Sequence, residues 1–119
     1  MNASKLIFQT LSPLVAGRVY PVIVPESQSK TIAGQSYIVY TLISSNPENS
    51  NDGFEGHEYA LMQIDVYSPS YAVTDELMIQ VINALNTIKA DIGSRQSIPD
   101  PNPKLYRQSL DCHVWGTTF

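Results

Sequence analysis

The spacing of apolar residues changes once along the chain, in the stretch from Glu58 to Ile92. From Tyr59 to Tyr67 alternate positions are apolar, which is the period of a β-strand with Ala60, Met62, Ile64 and Val66 on one side. After residues 68–70 the apolar positions lie three and four apart, as on one stripe of an amphipathic helix: Leu77, Met78, Val81, Ile82, Leu85 and Ile88. The pattern predicts a strand followed by a long helix that packs on the sheet and forms the core.

The first half of the chain predicts short helices and then two strands. Residues 3–11 are spaced for a short helix, and a further helical turn begins at Ser12-Pro13 and ends at Gly17. Residues 18–24 are rich in Val, Ile and Tyr, but nearby prolines restrict them to an edge or irregular strand. Residues 37–44 are apolar on both faces and predict a buried strand.

Two segments lack any apolar period. Residues 45–58 are polar with strong turn residues, which predicts a long hairpin loop. Gly93-Ser94 is expected to end the helix, and the proline-rich residues 94–104 are expected to form an extended connector before a last strand at 105–115. We therefore predict one domain over residues 1–119, of the α+β class, with a mostly antiparallel or mixed sheet and all helices on one face.

The second face of this sheet is expected to be partly apolar. An exposed apolar sheet face is typical of a protein–protein contact, and we predict that it mediates oligomerisation. The alternative is that the N-terminal helices and the 92–103 connector cover it within one subunit. The candidate interface residues are Tyr37, Val39, Leu61, Tyr67 and Trp115.

Composition narrows the function classes. The chain has 119 residues, of which 15% are charged, and a net charge of -4. Its seven basic residues are scattered, which disfavours nucleic-acid binding. The single cysteine excludes an internal disulfide and fits a reducing compartment. We expect neither a signal peptide nor a membrane span.

Candidate catalytic and metal-binding residues are few. Cys112 and His113 are adjacent on a predicted strand and point to opposite faces, which argues against a shared metal ion. Asp65 and Asp111 are expected to be cross-strand neighbours on the surface, and an enzyme that uses them with His113 is the least favoured hypothesis. No nucleophile elbow or phosphate loop is present. We predict a protein without catalytic activity, cofactor or metal.

Several segments in order resemble the tail completion, or tail-terminator, family of long-tailed bacteriophages. They are Gly17 to Pro21 after an N-terminal helix, Tyr37 to Tyr40, Met62 to Tyr67, a helix opened by Tyr71-Ala72, Tyr106 to Asp111, and Val114-Trp115. The resemblance covers nearly the whole chain.

This resemblance implies a structural virion protein that assembles as a ring, most often a hexamer. Such a ring caps the tail tube and joins it to the head connector, so its partners are the tail tube protein and the head–tail connector protein. The implied location is the head-proximal end of the virion tail, with host cytoplasm during assembly. No catalysis, cofactor or membrane is implied.

The acidic residues of the predicted hairpin suggest a role in such a ring. If they line the bore, their repetition in every subunit makes the channel negative, so DNA passes without binding. The alternative is that the loop faces outward or folds against the head connector. The residues are Glu48, Asp52, Glu55 and Glu58.

A second function class also fits the sequence. It is a small non-catalytic α+β adaptor or ligand-binding module, in the form of a dimer, that uses the long loop to bind a peptide or polyol. Imaging of the oligomer separates the two hypotheses, because only the first predicts a ring.

Overall fold

The structure, a computed structural model, describes residues 2–24, 34–50, 53–99 and 104–117, without the side chains of 47–50, 53–57 and 117. In chain order the elements are α1 (Ala3–Leu11), a 3₁₀ helix (Ser12–Val15), β1 (Val19–Pro21), β2 (Tyr37–Ser50), β3 (Gly53–Ser68), α2 (Tyr71–Thr87), β4 (Asp91–Ile98) and β5 (Tyr106–Thr117). Neither described α-helix is long and apolar enough to cross a membrane.

The strands form one mixed sheet in the order β1-β2-β3-β5-β4. β1 runs parallel to β2, and the other neighbours are antiparallel. Both α-helices pack on the same face, where the even-numbered residues of β3 and β5 form the core. The predicted α+β class with helices on one face is confirmed.

The long helix α2 occupies the position that its apolar spacing predicts. Ser70 caps its first turn by accepting a hydrogen bond from the Val73 amide, so the helix begins where the strand period ends. Its inward stripe packs on the buried side of β3, and burial of each large apolar side chain is worth about 1.5–3 kcal/mol. The fully or nearly buried members are Leu77, Met78, Val81 and Leu85, with Met62, Ile64 and Val66 opposite them.

The hairpin between β2 and β3 differs from the predicted long loop over 45–58. Pairing continues from Ser45 opposite Ala60 to Ser50 opposite Gly53, so only residues 51–52 remain between the strands, and they lie outside the described residues. Among the residues that the structure describes, β5 pairs with β3 as far as His57, and the distal part of the hairpin is a two-stranded arm. The arm forms through backbone hydrogen bonds, which need no apolar period, and the sequence pattern therefore did not reveal it.

The segment after α2 also differs from the prediction. The helix ends at Thr87, and Gly93-Ser94 lie inside β4 at a register shift. Lys89 takes a left-handed conformation, with φ 58°, in the turn between α2 and β4. β4 is an edge strand with almost no buried side chain, so it carries no alternating apolar signal. The predicted 94–104 connector is correspondingly shorter, and its residues 100–103 lie outside the described part.

The first turn of α1 rests on the end of the sheet next to the arm. The Ala3 amide donates to Glu58 Oε1 at 3.3 Å, and Ser45 Oγ donates to Glu58 Oε2 at 2.5 Å. Glu58 is buried, and its negative charge lies at the positive end of the helix dipole. Gly116 lies opposite Glu58 on β5 and allows this close approach. The prediction that Glu58 belongs to an exposed acidic loop is therefore wrong.

Candidate assembly surface

The side of the sheet that faces away from the helices, called here the open face, carries all five predicted interface residues. Tyr37 lies opposite Tyr67 across β2 and β3, and Val39 lies opposite Asp65. Across β3 and β5, Leu61 faces His113 and Tyr59 faces Trp115. Because paired residues point to the same side of a sheet, the strand register places the predicted set on one surface.

One half of the open face is organised around a buried ion pair. Arg107 contacts Asp65 at 3.2 Å, and Gln63 Nε2 donates to the same carboxylate at 3.0 Å. The Arg107 guanidinium also lies 5.7 Å from the centre of the Tyr67 ring, which stacks on Tyr37 at 4.8 Å. Asp65 is only 4% exposed, so Arg107 and Gln63 replace water as the partners of its carboxylate.

A groove of about 410 Å³ lies over this ion pair, bordered by residues 22–24. Val22 and Ile23 form part of its rim and are strongly exposed, at 67% and 72%. Val39, in contrast, is buried at 6% exposure. The prediction that Val39 contacts another subunit is therefore wrong, because its side chain is already covered within its own subunit.

The other half of the open face is an exposed aromatic cluster. The Tyr59 ring stacks on His113 at 4.8 Å with an angle of 11°, and contacts the Trp115 ring at 4.7 Å. The Tyr59 hydroxyl donates to the Asp91 carboxylate; this hydrogen bond, burial and the Asp91 charge raise the pKa of Tyr59. We call the cluster the Trp115 patch: Tyr59, Asp91, Asp111, His113 and Trp115.

The structure does not assemble the catalytic or metal site that the sequence analysis weighed. Asp65 lies opposite Ser109, and Asp111 lies opposite Gln63, so the two carboxylates are diagonal neighbours across β3 and β5 and are not directly opposed. Cys112 is buried on the helix side, which together with the Asp111 charge raises its thiol pKa to about 12. Among the described residues, no cluster of three or more His, Cys, Asp or Glu side chains could hold a metal ion.

Two of the other acidic residues proposed for the channel lie on the arm. Glu48 is on β2 and Glu55 is on β3, and their side chains are outside the described part of the chain. Asp52 lies outside the described residues altogether. The strand assignments place Glu48 and Glu55 on the arm, and Glu48 directly follows Pro47, which lies opposite Glu58.

Sequence reasoning missed three residues that organise the open face. Arg107 pairs with Asp65, while Tyr59 and Asp91 complete the Trp115 patch. The odd-numbered positions of the two central strands could have identified Tyr59 and Arg107, because alternation places them on this side. Asp91 carried no such signal, because its strand was not predicted.

Comparisons with known proteins identify a solved structure with a similar fold. No protein-family model matches the chain, and no curated protein matches it. Among solved structures, the chain is similar to one from the structure described as the virion of a native gene transfer agent particle. The two share 15% sequence identity and a TM-score of 0.55, over 98% of this chain and 95% of the other. This similarity shows that the two chains share a fold over nearly their whole lengths.

Proposed function

We propose that the chain is a structural virion protein that caps the end of a phage tail tube and joins it to the head connector as an oligomeric ring. The observation that carries the proposal is the shared fold with a chain of a gene transfer agent virion, almost end to end in both chains. The ordered resemblance to tail-terminator proteins supports the same role. The protein acts through assembly surfaces at the head-proximal end of the tail, after assembly in host cytoplasm.

Two features of the subunit support assembly with neighbours. The two-stranded arm extends beyond the rest of the sheet, and the molecule measures 52 × 29 × 24 Å. An isolated two-stranded ribbon is only marginally stable in water, so a neighbouring subunit would stabilise it. The half-buried Leu61 and the Tyr37–Tyr67 stack offer apolar area on the open face. Head-to-tail contacts between these surfaces close into a ring when the rotation per subunit divides a full turn.

We expect Leu61→Asp to abolish the ring. The substitution places an unpaired carboxylate in the proposed contact, and a buried unpaired charge is strongly unfavourable. Tyr67→Asp is a weaker test, because Arg107 lies beside residue 67 and would neutralise the new charge. Light scattering coupled to size exclusion should show a ring-sized oligomer for the natural protein and monomers for Leu61→Asp, and negative-stain microscopy should show the ring directly.

The matched control is Ile79→Asp, which introduces the same charge at an exposed position of α2 on the helix side. It should form rings like the natural protein. If Leu61→Asp also forms rings, the open face is not the subunit contact. A stable dimer without rings would instead favour the small adaptor or ligand-binding module, for which the groove over Asp65 and Arg107 is the candidate site.

The acidic arm gives a separate prediction about DNA passage. Glu58 accepts a hydrogen bond from the first turn of α1 and is buried. The acidic residues that remain available to line the bore are therefore Glu48, Asp52 and Glu55. Replacing these three with lysine should slow genome ejection while leaving tail length normal, because a basic wall binds DNA phosphates. The measurement is the rate of genome ejection from assembled particles. The control is a variant that carries uncharged glutamine or asparagine at the same three positions. Ejection at the natural rate in the lysine variant would show that the arm does not line the bore.

A further inference from the structure

The two halves of the open face differ in charge balance. In one half, Asp65 is neutralised by Arg107. In the Trp115 patch, Asp91 accepts a hydrogen bond from the neutral Tyr59 hydroxyl, and the half-buried Asp111 forms no ion pair within the described structure. The Trp115 patch therefore carries two carboxylates without a paired cation.

The aromatic rings of the Trp115 patch add a second preference to this charge. Trp115 is 53% exposed, and it adjoins the Tyr59 ring, which has His113 stacked on it. The faces of indole and phenol rings attract cations, and a guanidinium can stack on them as a flat group. A carboxylate beside such a ring accepts the guanidinium N–H groups, and Asp91, which lies opposite His113 and is bound by the Tyr59 hydroxyl, is placed to do so.

A second copy of this chain is poorly suited to supply that guanidinium. Each of its three arginines is already engaged: Arg18 donates to the Ser36 carbonyl at 2.7 Å, Arg95 pairs with Asp75, and Arg107 pairs with Asp65. Charge complementarity therefore favours a different, basic protein surface.

We propose that the Trp115 patch binds an arginine side chain presented by a protein other than this chain. The arginine stacks on Trp115, and Asp91 accepts its N–H groups, while Asp111 adds negative charge further along β5. This inference deepens the proposed function, on which it depends for identifying that protein as a neighbouring component of the virion. The arginine recognition itself requires no ring.

Trp115 provides a direct readout, because it is the only tryptophan of the chain. The probe is the peptide acetyl-Gly-Arg-Gly-Arg-Gly-amide, titrated into the full chain while Trp115 emission is recorded at low salt. We expect a saturable change in emission. The same peptide with lysine should bind several-fold more weakly, because a compact, strongly hydrated ammonium does not stack as a guanidinium does. The peptide with citrulline, which has the same shape without the charge, should give no saturable change.

The variants locate the interaction on the patch. Asp91→Asn should weaken binding of the arginine peptide by about fivefold or more, because the charged acceptor beside the rings is lost. The matched control is Glu76→Gln, which removes one exposed carboxylate on α2 at the other side of the molecule. It should leave binding within about twofold of the natural protein. Circular dichroism melting of every variant verifies that the fold is retained.

Three outcomes would overturn the proposal. The first is an equal response to the arginine and citrulline peptides, and the second is an equal loss of binding in the patch and α2 variants. The third is a Trp115 side chain already shielded from acrylamide in the protein alone, since another copy would then occupy the patch. Ring formation is measured separately by light scattering, so a failure of arginine binding is distinguishable from a failure of the proposed function.

Discussion

Replacing Gly116 with valine is expected to lower the free energy of unfolding by about 3 kcal/mol, near the upper end for overpacking a close contact. A Cβ atom at this position would lie 2.5 Å from the Ala3 nitrogen and 3.0 Å from its Cα. Both are backbone atoms of the first turn of α1, so no side-chain rotation can relieve the clash. The helix would have to move off the sheet and lose its contact with Glu58. Urea denaturation followed by circular dichroism measures the loss.

The control for this prediction is Gly93→Ala in β4. Its Cβ would lie 3.0 Å from the Asp111 carbonyl oxygen, which is also close, but β4 is an exposed edge strand that can shift. We expect a loss below about 1 kcal/mol. Equal losses in the two variants would mean that the position of α1 does not depend on the close approach at Gly116.

Removing the Arg107 side chain is expected to cost about 2–3 kcal/mol of stability. Arg107→Ala leaves the Asp65 carboxylate buried with Gln63 as its remaining partner among the contacts described. Loss of one member of a buried pair costs about 3–5 kcal/mol, and the value here is lower because the Arg107 side chain is 23% exposed. The change also removes the cation over Tyr67. Chemical denaturation at neutral pH measures the difference in free energy of unfolding between Arg107→Ala and the natural protein.

A second ion pair of the same chain supplies the control. Arg95 pairs with Asp75 on the helix side, where the side chains are 32% and 45% exposed, so Arg95→Ala should cost less than about 1 kcal/mol. The double variant Asp65→Asn with Arg107→Ala should recover part of the loss, because the uncompensated charge is gone. If Arg107→Ala and Arg95→Ala cost the same, burial of Asp65 is not what makes the first pair important.

The parts of the fold that face the core could be predicted, because only burial imposes a period on the sequence. The stripe of α2 and the alternation of β3 both place apolar residues where solvent is excluded, and both elements were found. β4 and the distal arm were missed for the opposite reason. The strand from Asp91 to Ile98 is solvent-exposed at six of its eight positions. The arm consists of two strands that are joined by backbone hydrogen bonds. Neither element therefore requires an apolar pattern in the sequence.

The sequence predicts which residues lie on the open face, but not which of them are covered by other parts of the chain. Alternation placed Tyr37, Leu61, Tyr67 and Trp115 on one side, and the strand register confirms that they share it. Which of them are covered depends on contacts between distant parts of the chain. Val39 is buried beside the groove that residues 22–24 border, and Asp65 is neutralised by a residue from β5. Local spacing carries no information about such contacts.

The position of β5 between β3 and β4 has a consequence for how the protein is made. During synthesis the β2–β3 hairpin and α2 emerge first, but β4 has no neighbour until residues 106–117 have left the ribosome. The first turn of α1 also packs closely against Gly116, so it cannot take its final position until that residue has been made. Closing such a long loop is slow, and until then β3 displays a bare hydrogen-bonding edge. Nascent chains are thus vulnerable to pairing with one another, and chaperone demand should be greatest in the interval before residues 106–117 emerge from the ribosome.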